Sequence, residues 1–96
     1  IELLYNKKMK EKELERSLKA LANKRRLAII RFIKKEKEVS VGDMADEIKL
    51  SFNATSKHLG ILASANILEK EQRGLQMFYR ISDDLPEVVR RVISLL

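Results

Sequence analysis

The sequence predicts a mainly α-helical domain with one β-hairpin, its elements ordered helix, helix, helix, helix, strand, strand, helix. Three observations predict it. Apolar residues recur with helical spacing as far as Leu62, the spacing turns to alternation between Ile67 and Ile81, and helical spacing returns in the apolar tail. With 96 residues the chain is read as one domain, 1–96, large enough for a single core. Its 45% hydrophobic content is too rich for a disordered chain.

The first helix is expected from Lys7 to Ala22, a run of strong helix formers with Leu14, Leu18 and Leu21 at i, i+4, i+7. Asn23 can cap a second helix from Lys24 to about Lys35, whose apolar side is Leu27, Ile30 and Ile33. The polar run Lys34–Glu38 ends it. Ser40 followed by Asp43 resembles a capping box, and Val41, Met44, Ala45 and Ile48 make one stripe on a third helix of about two turns. Leu50-Ser51 breaks that pattern, and Ser51 can cap a fourth helix from Phe52 to Ser64, closed by Ala65-Asn66. Ile67–Gln72 and Leu75–Ile81 then read as strands about Arg73-Gly74, where glycine supplies the positive φ of a tight hairpin. In the second strand Leu75, Met77, Tyr79 and Ile81 share one face, and Gln76, Phe78 and Arg80 the other. Asp83-Asp84-Leu85-Pro86 is a helix start, followed by Val88, Val89, Val92, Ile93 and Leu96.

Composition removes several chemistries. There is no cysteine, so disulfides, thiolate metal sites and cysteine catalysis are excluded, and a single histidine, His58, excludes paired-histidine metal sites. No apolar run is long enough to cross a membrane, and no signal peptide is read. Twenty Lys and Arg against 14 Asp and Glu give +6 and a pI near 9.7, the electrostatic footprint of a polyanion binder. Residues 1–38 hold 13 of the basic and 6 of the acidic side chains, so the excess belongs to the N-terminal third.

A short helix–turn–helix followed by a hairpin is the arrangement of a winged helix-turn-helix, whose second helix enters the major groove. At 100° per residue, Asn53, Ser56, Lys57 and Gly60 share the outward side of the fourth helix, while Thr55, Leu59 and Leu62 can pack inward. Asn53 suits paired hydrogen bonds to adenine, Ser56 a base or phosphate, and Lys57 guanine or phosphate. The candidate recognition positions are Phe52, Asn53, Thr55, Ser56, Lys57 and Gly60. Arg73, Gly74, Lys70 and Arg80 on the wing and Lys24, Arg25 and Arg26 at the start of the second helix are candidates for backbone contact. The plainer alternative is a solvated helix face with flexible surface arginines.

Four segments, spanning Leu18 to Ile81, resemble one family in the right order. Leu21-Ala22-Asn23-Lys24-Arg25-Arg26-Leu27-Ala28-Ile29-Ile30, Ser40-Val41-Gly42-Asp43-Met44-Ala45, Leu50-Ser51 with Thr55-Ser56-Lys57-His58-Leu59-Gly60-Ile61-Leu62, and Gln72-Arg73-Gly74 with Phe78-Tyr79-Arg80-Ile81 are similar to the arsenical-repressor (ArsR/SmtB) family of winged-helix repressors. Phe52-Asn53 stands where that family usually has Gln-Ser. The resemblance implies a homodimeric regulator joined through its first and last helices, about 1–22 and 84–96. Leu3, Leu4, Leu14, Val88, Val89, Val92, Ile93 and Leu96 are the candidate interface, because the tail is apolar beyond one core-facing stripe.

The family's metal-sensing ligands and redox thiols have no counterpart here. His58 is read as a packed histidine, and Asp83, Asp84 and Glu87 as partners of a helix dipole, so no metal and no cofactor is expected. The function expected is a sequence-specific regulator of double-stranded DNA, a homodimeric cytoplasmic repressor on a pseudo-palindromic site, with no membrane partner and an effector the residues do not reveal. The alternative is a winged-helix protein-interaction module in a larger assembly. An enzyme is not expected, since no activated nucleophile, phosphate-cradling loop or acid–base pair is present in the sequence.

Overall fold

In the computed structural model the backbone is described for residues 2–96 and the side chains from Lys10 onward. The elements are α1 (Glu2–Leu21), α2 (Lys24–Glu36), β1 (Glu38–Ser40), α3 (Val41–Ile48), α4 (Phe52–Ser64), β2 (Leu68–Arg73), β3 (Gln76–Ile81) and α5 (Glu87–Leu95). The strands form one antiparallel sheet in the order β1-β3-β2. Helical layers of α2, α3 and α4 cover it, and α1 and α5 lie together on the outside.

Local chemistry fixes the helix starts. Asn23 Oδ1 accepts from the backbone N–H groups of Arg25 and Arg26 at 2.9 and 3.1 Å. Ser40 Oγ accepts from Asp43 N–H and Ser51 Oγ from Ala54 N–H, both at 3.1 Å. Each satisfies an amide that a helix N-terminus otherwise leaves unpaired. Lys49 closes α3 in the left-handed region at φ 55°, giving the sharp turn into α4.

The order of elements needs one correction. A third strand, β1, stands in the polar run expected only to end α2. Lys37, at φ 77°, turns the chain out of the helix, and Val39 is then buried opposite Tyr79. Three residues are too few to display an alternation, so a strand made by pairing leaves no periodic signal. The two-residue hairpin turn also sits one position later than expected, at Gly74-Leu75 instead of Arg73-Gly74. Gly74 holds φ 62°, β3 begins at Gln76, and Leu75 is fully exposed at the tip instead of sharing the inner face of Tyr79. Likewise α5 begins at Glu87, with Pro86 at its N-cap.

The core joins Ile29, Ile30 and Ile33 of α2, Met44 of α3, Leu59 and Leu62 of α4, Ile67, Tyr79, and Val89 of α5. Each full burial of such a side chain contributes roughly 1.5–3 kcal/mol. Ile29 is buried where the sequence placed Leu27, which is only half-buried, because α2 is covered on two adjacent rows.

Candidate nucleic-acid interface

Helix α4 is anchored by its inner row. Thr55, Leu59 and Leu62 are completely buried, which fixes the rotation of the helix and therefore what it presents outward. Asn53 and Lys57 are exposed, and Ser56 and Gly60 half-exposed; α4 contains no acidic residue. Thr55 has to be withdrawn as a contact residue. Its side chain belongs to the core, and among the described residues its Oγ1 has no hydrogen-bond partner. Phe52 is 59% exposed at the helix start, a large apolar group beside the polar stripe.

The wing differs from a row of free cations. Arg73 donates from Nη1 and Nη2 to the two oxygens of Glu38, each at 2.6 Å, and from Nε to Glu71 at 2.8 Å. Its guanidinium also lies 4.7 Å from the centre of the Phe78 ring, a cation–π arrangement. Arg80 pairs with Glu69 at 2.8 Å and Glu71 at 3.5 Å. Hydrogen bonds from Arg73 hold the Glu38 and Glu71 carboxyls below the ordinary carboxylate range, and the Asp83 N–H does the same for Glu69. Two arginines facing three carboxylates leave the wing near neutral. Lys70 is exposed, and among the described residues it makes no ion pair.

The basic triplet at the start of α2 divides. Lys24 and Arg25 are exposed and line one end of a groove of about 770 Å³, with Arg31, Lys34 and Lys35 along it and Phe32 and Ile48 among its apolar lining. Arg26 turns the other way, away from the groove of Lys24 and Arg25. Its Nε donates to the Ala20 carbonyl at 2.6 Å, its Nη2 to the Lys19 carbonyl at 3.2 Å, and its Nη1 lies 3.3 Å from His58 Nδ1. A guanidinium only donates, so Nδ1 accepts and the ring proton is assigned to Nε2. Burial, and then the charges of Arg26 and Arg25, lower the His58 pKa from its ordinary 6.5. The histidine therefore couples α4 to the end of α1.

The candidate interface on the first and last helices also divides. Val89 and Ile93 are core residues of the protomer and are removed from it. Val88, Val92 and Leu96 are half-buried, and Leu14 is 43% exposed. The side chains of Leu3 and Leu4 lie outside the described residues. Leu18 at 47% and Leu95 at 85% exposure are further exposed apolar side chains on the same two helices. Both were legible as excess apolar positions on their helices.

A family model described as a helix-turn-helix domain matches residues 21–71, more than half of the chain. The arsenical resistance operon repressor of Bacillus subtilis is 30% identical over 73 residues, covering 76% of this chain and 70% of the relative. The transcriptional activator HlyU of Vibrio cholerae is 34% identical over 79 residues, covering 82% and 69%. The chain belongs to the arsenical-repressor family of winged helix-turn-helix transcriptional regulators.

Solved members of the family agree in three dimensions. HlyU from Vibrio cholerae superposes with a TM-score of 0.75 at 30% identity, covering 88% of each chain. A homodimeric winged helix-turn-helix DNA-binding domain from Mycobacterium bovis gives 0.72 at 31% identity, covering 88% of this chain and 74% of that one. The family is one of regulators and not of enzymes. Among the described residues no helix is long and apolar enough to cross a membrane, and no three His, Asp or Glu side chains converge as a metal site.

Proposed function

We propose that the chain is a homodimeric repressor that binds a pseudo-palindromic duplex in the cytoplasm and acts by occupying promoter DNA. The observation that carries this reading is the division of α4. An inner row at zero exposure locks the helix, and its outer stripe of Asn53, Ser56, Lys57 and Gly60 is small, polar, basic and uncovered. Such a face can approach a groove floor, with Asn53 and Lys57 supplying direct readout. Lys24, Arg25 and Lys70 add uncommitted charge on either side. Arg73, Gly74 and Arg80 shape the wing, whose arginines reach phosphate only by exchanging partners with Glu38, Glu69 and Glu71. Leu14, Leu18, Val88, Val92, Leu95 and Leu96 support pairing with a second copy.

Selection of bound fragments from random duplexes tests the reading. A two-fold symmetric consensus is expected, and Asn53→Ala should relax preference at one position per half-site. Fragments recovered with no common sequence would sink it. The neutral wing and the exposed Phe52 and Leu75 are what a protein-docking module would present, and a chain indifferent to duplex at low salt would favour that second reading.

A further inference from the structure

The groove between the second half of α1 and the outer flank of α4 is walled by Arg16, Lys19, Arg26 and Lys57, with Gly60, Ile61 and Ser64 along its α4 side. Among the described residues no carboxylate lines it. Lys19 has Glu15 4.0 Å away with both side chains more than two-thirds exposed, a pairing held too loosely to neutralise the lysine. We propose that this groove seats the DNA phosphate backbone, with Arg16 and Lys19 bringing α1 into the contact. The inference rests on the DNA-binding reading and adds an element to its footprint.

Three observations carry it. Asn53, Lys57, Gly60 and Ser64 stand at i, i+4, i+7 and i+11, so the outward stripe of the recognition helix runs without interruption into the groove. A rod-like polyanion following that stripe meets the α1 wall. Next, a helix C-terminus is negative and repels phosphate, yet the end of α1 is covered by a cation. Arg26 holds the Lys19 and Ala20 carbonyls and offsets that negative end on the α1 side of the groove. Finally, Gly60 is not required by the packing of the described residues, since beyond its own stretch of helix backbone a Cβ there would meet no atom within 4 Å. A mid-helix glycine weakens a helix relative to alanine, and here the open space it keeps lies in the groove.

The test measures duplex affinity of the full chain against salt for wild type, for Arg16→Ala/Lys19→Ala, and for Lys35→Ala/Arg90→Ala, which removes equal charge outside the groove. Each phosphate contact contributes about 0.9 to the slope of log affinity on log salt. The groove variant is expected to be shallower by about 1–2, equally on operator and unrelated duplexes, with an unchanged thermal midpoint and dimer mass. The control variant should move the slope by less than half as much. A groove variant with the wild-type slope, or a control that loses as much, overturns the groove and leaves the DNA-binding reading intact. A wild-type chain that binds no duplex overturns both.

Discussion

Both oxygens of Glu38 grip the guanidinium of Arg73, so a three-residue strand on one side of the sheet restrains the arginine nearest the wing tip on the other. The pair spans 35 positions of sequence and is half-exposed, so its importance is positional, not energetic. It decides whether the wing reaches DNA with a free cation. Glu38→Gln keeps the shape and removes the charge. The expected outcome is tighter duplex binding and a salt slope steeper by about 0.9, one further phosphate neutralised. Titration at three salt concentrations checks it, and an unchanged slope would mean that Arg73 stays bound to Glu71 and Phe78.

The burial of His58, with the charges of Arg26 and Arg25 beside it, makes stability depend on pH in a defined direction. His58 has a lowered pKa in the fold, so the unfolded chain takes up its proton first as pH falls below about 6.5. Stability is complete above that pH and declines as pH falls toward the depressed folded value. Loss of the paired carboxylates Glu38, Glu69 and Glu71, whose folded pKa values are also depressed, begins only below about 4.5. His58→Gln can still accept from Arg26 but does not titrate. Denaturant midpoints at pH 7.5, 6.5 and 5.5 should fall for the wild type and stay level for the variant. Parallel declines in both proteins would remove His58 as the cause.

Much of the fold was legible because its signals are local. Asn23, Ser40 and Ser51 cap the helices they were expected to cap, and the span Phe52–Ser64 holds to the residue. What was not legible depends on partners distant in sequence. Strand β1 exists because Glu38, Val39 and Ser40 pair with Arg80, Tyr79 and Phe78. The same pairing places Glu38 against Arg73 and so turns a free wing arginine into a bound one. Arg26 follows the same logic: its sequence neighbours are cationic, but its partners are the carbonyls that end α1. Val89 and Ile93 looked like surplus because a period gives the apolar face of a helix and not how much of it the core absorbs.

Thr55 illustrates the difference between facing the groove and holding the helix that does. Its buried Oγ1 lacks a partner among the described residues, and such a hydroxyl costs about 1–3 kcal/mol. Thr55→Val keeps the branched shape and removes the unsatisfied oxygen. The variant is expected to be more stable by about 1 kcal/mol, with duplex affinity and sequence preference unchanged. Chemical denaturation and a binding isotherm read the two quantities separately. A loss of affinity in a stabilised protein would return Thr55 to the interface.

The apolar surface of α1 and α5 separates pairing from folding. Leu18 and Leu95 are exposed in the protomer, whereas Val89 is wholly enclosed by it. Leu18→Glu/Leu95→Glu therefore places two charges on a surface that only a second copy would cover, where burying them unpaired is strongly unfavourable. The variant should sediment as a monomer at micromolar concentration with native helicity, bind a single half-site as wild type does, and lose the affinity gained from two. Val89→Ala should do the reverse, lowering stability by about 2 kcal/mol through a core cavity while the remaining folded protein still pairs. If the double glutamate variant keeps the mass of the wild type, α1 and α5 are not where two copies meet, and the half-site spacing has to be set by another surface.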